Sequence, residues 1–422
     1  MTKNWLRRLA AVTAMGVSLA TAGASYAQDQ ITLNWALWDW AATAYYQPLI
    51  DAYQAKNPNV KIEYTDLGST DYSTVLQTQL AGGADELDII TIKDVPGYAN
   101  LIGANLLLPL DDYIAAQGID TAAYGGLVEE LKLDDKVYTL PFRSDFWVLY
   151  YNKDLFDKAG VTYPTNDMTL AQLDETARAV TSGFGADKVY GTHYHVWRST
   201  VQLPGILDGQ HTLVDGNYDF LKPYYDRVLA LQNDGIIQSY AALKTSNTHY
   251  SGPFFNAQIA TLPMGSWFIA TQIAKVKSGE SKATNWGVVK FPHPEGVEAG
   301  TTAATITGLS VAANSKKQEA ALDFVKFVSG PEGAAVVAKT GTFPALTTED
   351  VLATITGTEG FPSDQGSKDA LVTAKRYLEM PVSPLAPQIE VVLNRAHDAI
   401  MTDNISVEEG LAEMTKGVGE IK

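Results

Sequence analysis

Three strand patterns separated by two helical ones, all between residues 31 and 92, constrain this chain more than any other feature. Residues 31–38 read as a strand. Tyr46, Leu49, Ile50 and Tyr53 then recur on one helix face, and Asn57-Pro58 ends that helix. Residues 60–67 alternate apolar with polar, 72–81 form a polar helix closed by Gly82-Gly83, and 87–92 are a nearly unbroken apolar run. Such a run is buried on both faces, as in a parallel sheet. Right-handed crossovers place the carboxyl ends of parallel strands on one edge. The loops at that edge, Trp38-Asp39-Trp40 and Lys93-Asp94, are where an open α/β sheet takes its ligand.

A second set of patterns begins near Lys136. Residues 137–142 read as a short strand broken by Pro141, and 146–152 as another, with polar Arg143-Ser144-Asp145 between them. Helical patterns follow at 170–181 and 220–233, and a strand at 286–290. Ala321, Phe324, Val325 and Val328 make a helix stripe opened by Asn314-Ser315 and closed by Gly330-Pro331.

The chain of 422 residues is long enough for two or three cores. With no Cys, disulfide scaffolds, Cys-ligated zinc, iron–sulfur clusters and a Cys-borne lipid anchor are excluded. Lys plus Arg number 31 against 48 Asp plus Glu, a net charge of −17, which argues against a nucleic-acid partner. The opening residues are a segment apart. Basic Lys3, Arg7 and Arg8 precede an apolar stretch at 9–22, and Ser25-Tyr26-Ala27 offers small residues where a signal peptidase reads. The stretch is too short and too rich in Ala, Gly, Ser and Thr for a stable membrane span. The expectation is a signal peptide at 1–27, cleaved after Ala27, and a periplasmic mature protein.

Phrases spread along the chain carry a resemblance. They are Asp88-Ile89-Ile90 with Asp94 and Gly97-Tyr98-Ala99, Leu108-Pro109-Leu110, and Leu140-Pro141-Phe142 leading to Tyr151-Asn152-Lys153-Asp154-Leu155-Phe156. Met264-Gly265-Ser266-Trp267, Asn314-Ser315-Lys316-Lys317 and Ser329-Gly330-Pro331-Glu332-Gly333 complete the set. In this order they resemble the extracellular sugar-binding proteins of ABC importers, solute-binding protein family 1, the group that includes maltose-binding protein. The resemblance implies a two-lobed α/β fold of the periplasmic-binding-protein type, closing on its ligand about a hinge. Carried onto this sequence, the amino-terminal lobe holds 28–144 plus 292–345 and the other lobe 145–291 plus 346–422. Crossings are implied near Arg143-Ser144-Asp145, Phe291-Pro292 and Gly341-Thr342-Phe343-Pro344. The function implied is that of a monomeric, non-enzymatic receptor without cofactor, delivering a di- or oligosaccharide to the membrane permease. The same fold binding a polyamine or another non-sugar solute is the alternative. A secreted glycoside hydrolase, which also needs paired carboxylates, is a more distant one.

A pyranose presents a ring of hydroxyls and an apolar C–H face. Acids, amides and Arg suit the first and flat aromatic rings the second. The resemblance therefore nominates Trp38, Asp39 and Trp40 after the first strand, Asp94 after the third, Arg143 and Asp145 at the first crossing, and Trp197 and Trp267 as stacking rings. Each has a structural alternative: a helix-capping Asp39, a surface turn at Asp94, a hinge ion pair between Arg143 and Asp145, and tryptophans in the core. The position after Asp39 is basic in maltose-binding protein and is Trp40 here, which points to a different sugar or orientation. His193 and His195 share one strand face but lack a third ligand at recognisable spacing, so no metal is expected.

Overall fold

The computed structural model describes residues 30–69, 72–83 and 86–421. The expected signal peptide lies outside the described residues.

The first three strands are β1 (Ile31–Leu37), β2 (Val60–Asp66) and β3 (Ile89–Ile92). They are followed by β4 (Leu140–Asn152), β5 (Thr261–Gly265), β6 (Trp286–Lys290), β7 (Thr301–Val311) and β8 (Lys375–Leu378). They join in the order β2-β1-β3-β7-β4-β5, with β6 on β4 and β8 on β7. β1 is parallel to both β2 and β3, the arrangement expected from the βαβαβ pattern. All four residues of β3 are buried, because helices cover both faces of the sheet.

The period of two sorts side chains into two cores in this half of the molecule. Leu33, Trp35, Ile89, Leu309 and Val311 enter one cluster, while Ala36, Ile90, Ile92 and Ile306 enter the other. The second half repeats the device: Val148, Tyr150, Leu262, Met264 and Val288 lie in one cluster, Leu149, Tyr151, Ala260 and Val289 in the other. Two sheets with cores on both of their faces make two lobes.

Where the sequence suggests two strands separated by a polar break, the structure has one strand of 13 residues. A register irregularity between Pro141 and Arg143 absorbs the proline, so the ladder continues through Arg143, Ser144 and Asp145. β4 pairs with β7 over its first half and with β5 and β6 over its second, so it runs from one lobe into the other. β7 makes the reverse exchange, pairing with β8 at residues 301–304, with β4 from Ala304 and with β3 from Gly308 onward. A third segment lies beside them: the Ser144 N–H donates to the Phe343 carbonyl at 3.3 Å, and the Ala345 N–H to the Phe142 carbonyl at 2.9 Å.

One helix start differs from expectation. The stripe helix begins at Gln318, because Ser315 turns its hydroxyl to Asp88 at 2.7 Å instead of capping the helix. The lobes touch: Val95, which opens the helix Val95–Gly103, packs on the core of the second lobe. Leu378 and Val382 pack on a core of the first.

Candidate functional site

β1 delivers the loop 38–40 to the edge of the first lobe. Asp66, the last residue of β2, pins it by accepting the N–H groups of Asp39 and Trp40 at 3.1 and 3.0 Å. Asp39 is thereby held at φ 50°, a left-handed backbone that costs a non-glycine residue of order 1–3 kcal/mol. It makes no cap hydrogen bond to the short helix Trp40–Ala42, so the capping alternative does not describe it. Its carboxylate has no hydrogen-bond or ion-pair partner among the described residues. Across the hinge, burial holds the His249 imidazole below its ordinary pKa while the Asp39 carboxylate opposes that shift. Burial likewise raises the Tyr250 phenol, and Asp39 adds to it. The acid thus lies within electrostatic reach of the second lobe.

The neighbouring tryptophans are differently placed. Trp40 stacks on Tyr64 at 3.7 Å and runs nearly parallel to Tyr46 at 5.8 Å, so its ring is engaged by the first lobe's own tyrosines. Trp38 is half-buried, edge-on to Tyr72 at 5.0 Å, with the Lys93 ammonium 5.7 Å from its ring centre. Asp94 has a cap's work to do: it accepts the Gly97 N–H at 2.6 Å and the Ser73 hydroxyl at 3.3 Å. Its side chain keeps exposed surface, yet desolvation by the protein crowded around it raises its carboxyl pKa against the pull of Gly97 and Lys93, and Glu390 of the second lobe raises it further.

At the hinge, Asp145 accepts the Arg143 Nε at 2.8 Å and the Ser266 hydroxyl at 2.8 Å. Its side chain has no exposed surface and that of Arg143 only 11%. Arg143 also donates to the Tyr45 hydroxyl and lies 5.3 Å from that ring's centre. Burial penalises the Arg143 charge, but Asp145 and Tyr45 outweigh it and raise its pKa. This is the hinge ion pair, with both Asp145 oxygens committed to protein groups.

The second lobe offers rings. Trp197 is 39% exposed and lies 5.4 Å from Tyr250 and 6.5 Å from Trp267, with His195 edge-on at 4.6 Å. Trp267 follows β5 after Ser266 and has Trp147 edge-on at 5.8 Å. Its ring lies over Gly265, where an added Cβ would come within 1.9 Å of it; the glycine is what lets the indole lie down. Of the residues nominated by sequence, Asp39, Trp197 and Trp267 therefore come together around Tyr250. Trp40 stands apart in its own stack, and Arg143 and Asp145 form the floor.

Sequence reasoning did not find Tyr250, His249, Trp147 and Glu379. Glu379 accepts the Trp147 indole N–H, and burial pushes its carboxyl up to about 7, with Trp147 and Arg198 opposing and Glu390 and Asp94 adding. The signal available was the density of rings and acids in 193–197, 249–250 and 376–379. His193 and His195 sit 6.1 Å apart, and burial lowers them to about 4 and about 3, so both are neutral.

The family model of bacterial extracellular solute-binding proteins matches residues 38–335. The sn-glycerol-3-phosphate-binding periplasmic protein of Shigella flexneri is 24% identical over 397 residues, 86% of each chain. Among solved structures, a sugar transporter of Rhizobium etli in an open conformation is 68% identical, with a TM-score of 0.79 over 93% of this chain and 100% of that one. An ABC substrate-binding protein of Listeria monocytogenes in complex with cycloalternan is 23% identical, with a TM-score of 0.78 over 93% and 99%. The latter likeness is one of fold. The two lobes joined at a hinge are the periplasmic-binding-protein architecture, and this chain belongs to the bacterial extracellular solute-binding proteins of family 1, which serve ABC transporters.

Proposed function

We propose that this chain is a periplasmic receptor that captures a neutral sugar, of two or more units, between its lobes and delivers it to an ABC permease. One observation carries the reading: the aromatic wall of Trp197, Tyr250 and Trp267 lies within electrostatic reach of the Asp39 carboxylate, which has no hydrogen-bond partner among the described residues. Rings take the C–H face of a pyranose, and a carboxylate takes a pair of its hydroxyls. Similarity to a Rhizobium etli sugar transporter supports the same ligand class. Asp39, Trp197 and Trp267 would be the principal contacts, with Trp38 and Asp94 at the rim and Arg143 and Asp145 fixing the floor. Trp40 would contribute only an edge.

The lobes would divide where strands change partners: within β4 near Asp145, within β7 at residues 305–307, and at 343–345. Phe291 packs in the second lobe's core and His293 bridges to Thr169, which favours keeping both in that lobe. Cleavage after Ala27 would release the mature chain, and closure would present both lobes to the permease.

Native mass spectrometry of protein isolated from the periplasm without unfolding tests it. The expected result is a population heavier by one sugar, which is recovered unaltered and begins at Gln28. A bound polyamine, or a sugar returned hydrolysed, would replace this reading.

A further inference from the structure

We propose that Arg376 reads the ligand directly, donating from its two terminal nitrogens to a pair of adjacent neutral oxygens, such as a vicinal diol, at the floor of the cleft; this rests on the sugar reading above. The chain direction sets where it points. Tyr377 turns into the second lobe, where its hydroxyl lies over Gly209, and a Cβ there would come within 2.3 Å of it. Residues either side of Tyr377 on β8 project from the opposite face. Leu378 is one, and it packs on the first lobe's cluster beside Ile306 of the hinge. Arg376 is the other.

Its guanidinium lies 4.3 Å from the centre of the Phe146 ring, and Phe146 is itself edge-on to Phe343 at 4.9 Å. Phe146 belongs to β4 and packs on Phe343 of the third crossing segment, so the arginine is seated on one of the strands that join the lobes and next to another crossing. The Nε donates to the Thr373 hydroxyl at 2.9 Å. Among the described residues, the terminal nitrogens have no carboxylate within ion-pair distance and no other acceptor. The cleft's other arginines are committed, Arg143 to Asp145 and Arg198 to Glu390.

Among the described residues only the Thr373 hydroxyl accepts from this half-buried guanidinium, so its two terminal nitrogens are free to donate to a ligand in place of solvent. Burial lowers its pKa to about 10, with Asp145 opposing, so it stays charged at neutral pH. Its planar fork matches two oxygens side by side. The negative charge of Asp145 beside it, and that of Asp39 across the cleft, weigh against an anionic group in the same place.

The test uses ligand-stripped wild type, Arg376→Met and Arg376→Lys, titrated calorimetrically with maltose, mannobiose, trehalose and sn-glycerol 3-phosphate. Ligand-free melting temperatures are measured in parallel. Arg376→Met is expected to weaken binding of the sugar that wild type takes by about 10- to 100-fold, the range for hydrogen bonds from a charged donor. Its ligand-free melting temperature should hold, since the terminal nitrogens have no protein acceptor to lose among the described residues, and the affinity of Arg376→Lys should fall between. Equal affinity in wild type and Arg376→Met overturns the assignment while leaving the sugar reading intact. So does a drop in ligand-free melting temperature in both variants with affinity preserved in Arg376→Lys, since that is structural support. If wild type binds no sugar and saturates with sn-glycerol 3-phosphate, the neutral-oxygen assignment and the sugar reading both fall.

Discussion

Asp39 and Trp267 concentrate the functional argument at the residue scale, because each is held where packing alone gives no reason for it. Asp39→Asn keeps the shape and removes the charge; the expected outcome is a loss of about 10-fold or more in sugar affinity by calorimetry, with little change in ligand-free stability. Trp267→Ala removes the stacking face and should weaken binding by about 1–3 kcal/mol, read by the same titration. Titration behaviour is a second handle. Glu379 has a folded pKa of about 7 against an ordinary 4.5, so between those values the folded protein keeps a proton that the unfolded chain has lost. Its contribution is present below about 4.5 and fades as pH rises through 7. Melting temperatures of Glu379→Gln should therefore gain on wild type as pH goes from 5 to about 7.5; a constant offset would contradict this. Buried His193, His195 and His397 act oppositely: burial lowers them to about 4, 3 and 3, so their contribution is present above 6.5 and is lost on acidification. Asp39 and Trp267 were legible because each sits in a recognisable phrase at a strand end. Tyr250 and Glu379 were not, since their partners lie far away in sequence: Trp267 for one, Trp147 for the other.

β4 is the element on which the molecule depends. It carries the hinge ion pair, the floor of the cleft and one strand of each lobe. The alternation and apolar runs of β1 to β3 and β6 were readable because each is short and bounded by turn residues. β4 read as two pieces because a buried arginine and aspartate look like a loop until their mutual pairing is known. β7 was missed for a related reason: its many threonines and alanines lack the bulk that marks a core strand, yet ten of its eleven residues are buried. The clamp between β4 and β5 is Ser266, whose hydroxyl donates to Asp145 at 2.8 Å and accepts the Phe146 N–H at 3.3 Å. Ser266→Ala leaves both groups buried without that partner and should cost about 1–3 kcal/mol in urea unfolding, while Ser266→Thr should cost less.

The two lobes touch through Val95 and Leu378, and among the described residues the terminal nitrogens of Arg376 and the carboxylate of Asp39 have no hydrogen-bond partner. A solute that meets Asp39 on one side and the rings of Trp197, Tyr250 and Trp267 on the other stabilises the closed state, since only closure lets both lobes reach it. The two-lobed architecture was legible from ordered phrases; the side from which each contact comes was not, because it depends on how the lobes close. The most direct measurement of sugar capture is intrinsic tryptophan fluorescence of the ligand-stripped mature protein. It would be titrated with mono-, di- and trisaccharides, putrescine and sn-glycerol 3-phosphate, with Trp197 and Trp267 as reporters at the cleft. The expected result is a saturable change with one neutral sugar, shifted to higher concentration in both Trp267→Ala and Asp39→Asn. Saturation by putrescine or by sn-glycerol 3-phosphate, with every sugar silent, would contradict it.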